Sequence, residues 1–178
     1  MHHSSVKLRK TLFSLLIGVG LVITLISTTA HSSQAQTVVR HAIPNSTLPI
    51  ALAVEVPADQ TVVYLSGQVP AVADPNQPET SIEAYGDTKT QTMSVLTKID
   101  EILKGLNMSM SDVVKMQVFL VGAPSKGGNM DFAGFMEGYT QFFGTAAQPN
   151  LPARSTMQVS ALVNPGWLVE IEVAAVRS

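Results

Sequence analysis

The chain has no cysteine among its 178 residues, which excludes disulfides, thiol catalysis and a lipid anchor on a cysteine. Histidine is nearly as scarce. His2, His3 and His31 fall in the first 35 residues, and only His41 lies beyond them. A zinc or other nitrogen/sulfur metal site has too few ligands, and serine-histidine catalysis has almost nothing to draw on. Charge is also sparse, at 13% of residues. A charged side chain inside an apolar segment of this chain therefore needs a reason.

What the N-terminus does have is a basic cluster, Lys7, Arg9 and Lys10, then an uncharged apolar run over residues 12–26 and a small-residue end at Ser33-Gln34-Ala35. That order is the pattern of a cleaved secretory signal. An uncleaved anchor is the alternative, since residues 11–30 nearly reach membrane-spanning length. We expect residues 1–35 to be a signal peptide and residues 36–178 to form one domain, periplasmic or secreted, with no stable membrane association after cleavage. Three of the eleven cations leave with the signal, so eight remain against thirteen carboxylates. The acidic balance argues against nucleic acid as a partner.

Hydropathy patterning divides the domain. Residues 50–56 and 61–66 read as strands joined by the turn Pro57-Ala58-Asp59-Gln60, a hairpin by its residue types. From Asp87 to Leu106 the period changes: Met93, Leu96, Ile99, Ile102, Leu103 and Leu106 recur at helical spacing. Lys104 suits the last turn, and Gly105 and Asn107 supply stop signals. Residues 113–121 alternate as a strand. A second helix begins at Asn129 or Asp131, with Phe132, Phe135, Tyr139 and Phe142 as an apolar stripe that reads as core. Two final strands, 155–162 and 168–176, flank Asn164-Pro165-Gly166. The order β-β-α-β-α-β-β predicts an α+β fold, a mixed sheet with two helices packed on one face.

Two features carry chemistry. Arg154 stands just after Pro152, at the start of a strand, and Glu170 and Glu172 lie on one side of the last strand, because strand side chains alternate with a period of two. Either they pair structurally or they serve a small anionic substrate. A guanidinium is a planar fork matched to a carboxylate. If residues 155–162 and 168–176 form a simple hairpin, Arg154 lies about five residues, roughly 17 Å, from Glu170. An intrachain pair is then awkward and a site shared between chains natural. On residue types alone, Glu172 and Lys115 read as solvated or interface residues, Ser66 as a turn former and Trp167 as a core or interface anchor.

Several motifs in order carry a resemblance: Leu65-Ser66-Gly67-Gln68-Val69-Pro70, Gln91 opening the first helix, Asp112-Val113-Val114-Lys115, Tyr139-Thr140-Gln141-Phe142-Phe143, Pro152-Ala153-Arg154-Ser155 and Glu170-Ile171-Glu172-Val173-Ala174. Together they resemble the RidA family of reactive intermediate deaminases. The resemblance implies a chorismate-mutase-like fold and a homotrimer with a site in each cleft between subunits. It also implies cofactor-free and metal-free hydrolysis of enamine/imine intermediates, of the 2-aminoacrylate and 2-iminobutanoate type, to the 2-oxo acid and ammonia. By that resemblance Arg154 clamps the substrate carboxylate and Glu170 places water, while Ser66, Gly67, Tyr139 and Thr156 contribute to the substrate site. Three positions depart from the pattern. Leu48-Pro49-Ile50 stands where the family has Gly-Pro-Tyr, Met136 where it often has asparagine, and Thr156 where its best-known members have cysteine. The competing readings are a non-catalytic module of the same fold that binds small carboxylates, an endoribonuclease, which the acidic charge disfavours, and a holdase.

Overall fold

The computed structural model describes residues 37–177. The expected signal segment lies outside them. Six strands form one mixed sheet: β1 (Val39–Ala42), β2 (Ala51–Glu55), β3 (Thr61–Gln68), β4 (Val113–Val121), β5 (Ala153–Val159) and β6 (Val169–Arg177), in the order β1-β2-β5-β4-β6-β3. The helices are α1 (Thr88–Gly105) and α2 (Phe132–Tyr139). Among the described residues no helix is long and apolar enough to cross a membrane.

Strand alternation decides which residues meet the helices. Met116, Val118 and Leu120 of β4 and Val169, Ile171, Val173 and Ala175 of β6 share the main core with Val95, Leu96, Ile99 and Leu103 of α1 and Phe135 and Tyr139 of α2. The intervening residues, including Lys115, Gln117, Glu170 and Glu172, turn to the other face. At one end of that face Val114, Ala174 and Val176 are covered by Val38, Val54, Val56 and Val62. The expected layering, with both helices on one face, is what the core contacts show.

Two expected hairpins are not formed. β2 does not pair with β3. It pairs with β1, a strand the sequence reading did not place, and touches β5 at Ala51 and Ala153. β3 instead runs antiparallel along β6, from Thr61 opposite Arg177 to Leu65 opposite Val173. Nor does β5 pair with β6, because β4 lies between them, parallel to β5 and antiparallel to β6. β6 is the cause in both cases. It is nine residues long and buried along most of its length, so it takes a strand on each edge. Turn chemistry is local and does not choose the partner. His41 lies in β1, with its Nε2 2.7 Å from Glu55 Oε1.

The helix ends follow their caps. Asp87 accepts from the Thr90 N–H at 2.8 Å to start α1. Asn107, at φ 56°, stops it, with Met108 N–H donating back to Leu103 O and Asn107 N–H to Lys104 O, the pattern of a Schellman end. Asp131 rather than Asn129 caps α2, accepting from Gly134 N–H. α2 ends at Tyr139, so Phe142 falls beyond it and is half-buried, while Phe143 is the buried ring, stacked on Tyr139 at 4.9 Å. The α1 stripe is also rotated from expectation: Val95 belongs to the buried face and Leu106 does not.

Gln91 explains how α1 holds the start of β6. Its side chain is fully buried; Nε2 donates to Gly86 O and Gly166 O, and Oε1 accepts from Leu168 N–H at 2.7 Å. Trp167 packs edge-on against Tyr85 at 6.3 Å.

Candidate active site

Arg154 opens β5 opposite Met116 of β4, so its side chain leaves the sheet on the helix side. There its guanidinium lies 4.3 Å from the ring centre of Tyr139, 4.9 Å from that of Phe135 and 5.9 Å from that of Phe132. The spacing 132, 135, 139 puts all three rings on one side of α2, and the aromatic faces attract the cation. Read from sequence as core alone, the stripe is also the bed on which the arginine rests. Arg154 Nη2 lies 3.3 Å from the Met136 sulfur, and Nη1 is buried without a hydrogen-bond partner. No carboxylate lies within ion-pair distance of Arg154 among the described residues.

Burial pulls the Arg154 guanidinium below its ordinary value, opposed by the neighbouring Tyr139. Burial likewise pushes the Tyr139 phenol up to about 12, eased by Arg154. The pair therefore stays cation and neutral phenol across the physiological range. The Tyr139 hydroxyl donates to Pro49 O at 2.8 Å, which ties the Leu48-Pro49-Ile50 segment to the site. Thr156, two residues along the same strand face, also presents a buried hydroxyl without a partner.

Glu170 lies on the opposite side of the sheet. It stands across from Phe119 of β4, three residues along from the position of Arg154 and two strands over. The two sites are thus separated by about 10 Å along the strands and about 10 Å across them, with the sheet between. The roughly 17 Å hairpin geometry expected from sequence does not hold, because no hairpin forms. Its consequence does hold, that Arg154 and Glu170 make no intrachain pair among the described contacts. Glu170 meets Gly67 instead, and Ser66, read from sequence as a turn former, lies with it inside β3 at an irregularity of the strand. The β3–β6 register slips between Leu65 and Gln68, and a Cβ on Gly67 would lie 2.0 Å from Glu170 Oε1. Only a glycine lets the carboxylate rest there. Ser66 is exposed beside it.

One chain therefore gathers its candidate residues in two separate clusters. Arg154, Tyr139, Thr156 and Met136 lie together on the helix face; Glu170, Gly67 and Ser66 lie together on the other. Glu172 accepts a short hydrogen bond from Gln117 Nε2 and borders a cavity of about 240 Å³ with Tyr64 and Lys115. Gln117 was missed by the sequence reading, although its place opposite Glu172 follows from the β4–β6 register. Phe132 and Phe135 were missed as contacts of Arg154, since helical spacing does not say which strand residue lies above. No group of three His, Cys, Asp or Glu side chains able to hold a metal ion occurs among the described residues.

Known proteins share this sequence pattern and this fold. A RutC family protein of Sulfurisphaera tokodaii is 36% identical over 138 residues, covering 78% of this chain and 95% of its own. TdcF of Escherichia coli K12, provisionally named a reactive intermediate deaminase, is 35% identical over 118 residues, covering 66% and 81%. The crystal structure of E. coli TdcF with bound serine matches at 32% identity and TM-score 0.52, covering 69% of this chain and 85% of that one. A Rid family protein from Yersinia pestis shares the fold at TM-score 0.56 and 24% identity. The family model for endoribonuclease L-PSP matches residues 53–177, and the chain belongs to that family, which includes the YjgF/RidA proteins.

Proposed function

We propose that this protein is a hydrolytic deaminase of small enamine/imine carboxylates, built as a homotrimer whose sites combine Arg154 of one subunit with Glu170 of the next. The observation that carries this is Arg154 itself: a half-buried guanidinium, seated on aromatic rings, with one buried nitrogen unpartnered and no carboxylate within ion-pair distance among the described residues. A half-buried cation in that state is favoured to take an anionic ligand. The serine held in the TdcF crystal structure is a small carboxylate of suitable size.

The chemistry asks little more. Arg154 holds the substrate carboxylate and leaves the imine carbon facing the neighbouring subunit. Glu170 takes a proton from water as the oxygen adds to that carbon, then returns it to the nitrogen. Collapse of the carbinolamine breaks the C–N bond and releases the 2-oxo acid and ammonia. A single positioned carboxylate suffices because the imine carbon is already electrophilic. Export through residues 1–35 is part of the proposal; the intact mass of protein recovered from outside the cytoplasm should correspond to a chain beginning near Gln36.

The test is semicarbazide competition during decay of 2-iminobutanoate generated in situ. Wild-type protein should lower the trapped fraction in proportion to its concentration. If it binds 2-oxobutanoate but leaves imine decay unchanged, the protein is a carboxylate-binding module and the enzyme reading falls.

A further inference from the structure

Beside the three rings, the Met136 thioether meets the Arg154 guanidinium, its sulfur 3.3 Å from Nη2. Its thioether is a weak acceptor, so Nη2 remains available to a ligand. Met136 is itself only half-buried. Met108, Met110 and Met116 are buried in the core. Met93 and Met130 are also half-buried and Met157 is exposed, but the Met93 sulfur faces the amide of Gln141, an uncharged group outside the site, and Met157 stands opposite Phe119, on the other face of β5 from Arg154.

Oxidation would change this one contact in kind. A peroxide transfers one oxygen atom to the sulfur; the O–O bond breaks, the peroxide leaves as water or alcohol, and the sulfur is oxidised by two electrons. The sulfoxide oxygen, one bond from the sulfur, is a strong acceptor where the thioether was a weak one. With Nη2 at 3.3 Å from the sulfur and Nη1 unpartnered, it is placed to occupy the donors that a ligand carboxylate would use. We propose that Met136 is a reversible oxidation site, whose sulfoxide closes the Arg154 anion clamp. The inference rests on the reading of Arg154 as that clamp. Methionine sulfoxide reductases would restore it.

Two measurements on the purified protein test this, before and after hydrogen peroxide, with sulfoxide occupancy followed by peptide mass. The first is the rate at which phenylglyoxal labels Arg154, with the exposed Arg177 as internal control. The second is calorimetric binding of 2-oxobutanoate. In wild-type protein, oxidation should slow Arg154 labelling by about tenfold and weaken binding by about tenfold or more, as expected for loss of a charge-assisted bond. Reductase treatment should reverse both. Met136→Leu should show labelling and affinity that the same peroxide leaves at that variant's own untreated values, Met93→Leu should respond as wild type does, and Met136→Gln should label slowly without peroxide. The proposal is overturned if Met136 resists oxidation, if its sulfoxide leaves Arg154 labelling unchanged, or if Met136→Leu responds like wild type. Slowed labelling in a protein that never bound 2-oxobutanoate would keep the oxidation site and discard the carboxylate clamp.

Discussion

In the proposed reaction Arg154 binds and Glu170 turns over, and substitution should separate their contributions. Arg154 supplies a planar pair of donors in a partly desolvated setting, where a bond to a charged group contributes roughly 1.5–3 kcal/mol. Arg154→Ala should therefore weaken 2-oxobutanoate binding by about ten- to a hundredfold in calorimetry. Arg154→Lys should recover only part of this, because an ammonium lacks the fork and fits the ring faces less well. Glu170→Gln keeps shape but cannot accept a proton, so imine turnover should fall by roughly 10²–10⁴-fold with affinity nearly unchanged. Gly67 offers a sharper probe of geometry. In Gly67→Ala the new methyl would stand 2.0 Å from Glu170 Oε1, so the carboxylate must swing away. Turnover should drop toward the Glu170→Gln level while Arg154-dependent binding survives; unaltered turnover would show that the resting position of Glu170 is not the working one.

At the level of elements, Gln91 and Asp87 fix where α1 lies and where it begins. Gln91→Leu preserves volume but leaves Leu168 N–H and two carbonyls buried without their partner. The cost should be about 3 kcal/mol, a fall in Tm of roughly 10 °C by calorimetry, with no change in charge. Asp87 carries a pH signature. Hydrogen bonds from Thr90, the backbone N–H first, lower its carboxyl below the ordinary 3.8. A carboxyl depressed in the folded state stabilises above its unfolded value and loses that contribution as pH falls through the folded one. Asp87→Ala should thus cost about 1 kcal/mol at pH 7, and urea melts should show the gap to wild type closing as pH drops below 3.8.

These same elements show what a sequence can and cannot disclose. Helices, caps and β4 were legible because their signals are local: Asp87 and Asn107 bracket α1, and alternation marks residues 113–121. The hairpins were misread because partner choice is settled by β6, more than a hundred residues from β3 along the chain. The site was legible as residue types, an arginine and a glutamate in apolar strands. Their placement on opposite faces was not, since it depends on β4 lying between β5 and β6. The aromatic bed of Arg154 needed both the helix spacing and that strand order.

For the whole molecule, residue clusters on opposite faces turn the oligomeric state into a mechanistic question. The sheet face bearing Glu170 and Glu172 is not packed against the helices, and Tyr64 there is 80% exposed, an aromatic surface that no described residue covers. Light scattering at micromolar concentration should give a trimer; a monomer would remove the shared site. Trimer formation alone does not show that subunits share chemistry, and complementation does. On the proposed shared site, Arg154→Ala and Glu170→Gln should each be nearly inactive as homotrimers, because every cleft would lack one partner. When the two are co-expressed in equal amounts, a cleft works only if its arginine comes from the Glu170→Gln chain and its glutamate from the Arg154→Ala chain. With random assembly in a ring of three, about one cleft in four meets that condition, so mixed protein should recover about a quarter of wild-type turnover. Mixing after separate folding, without subunit exchange, should recover none. If co-expression also restores nothing while both variants still assemble, Arg154 and Glu170 do not act across the interface, and turnover must come from one face of a single chain.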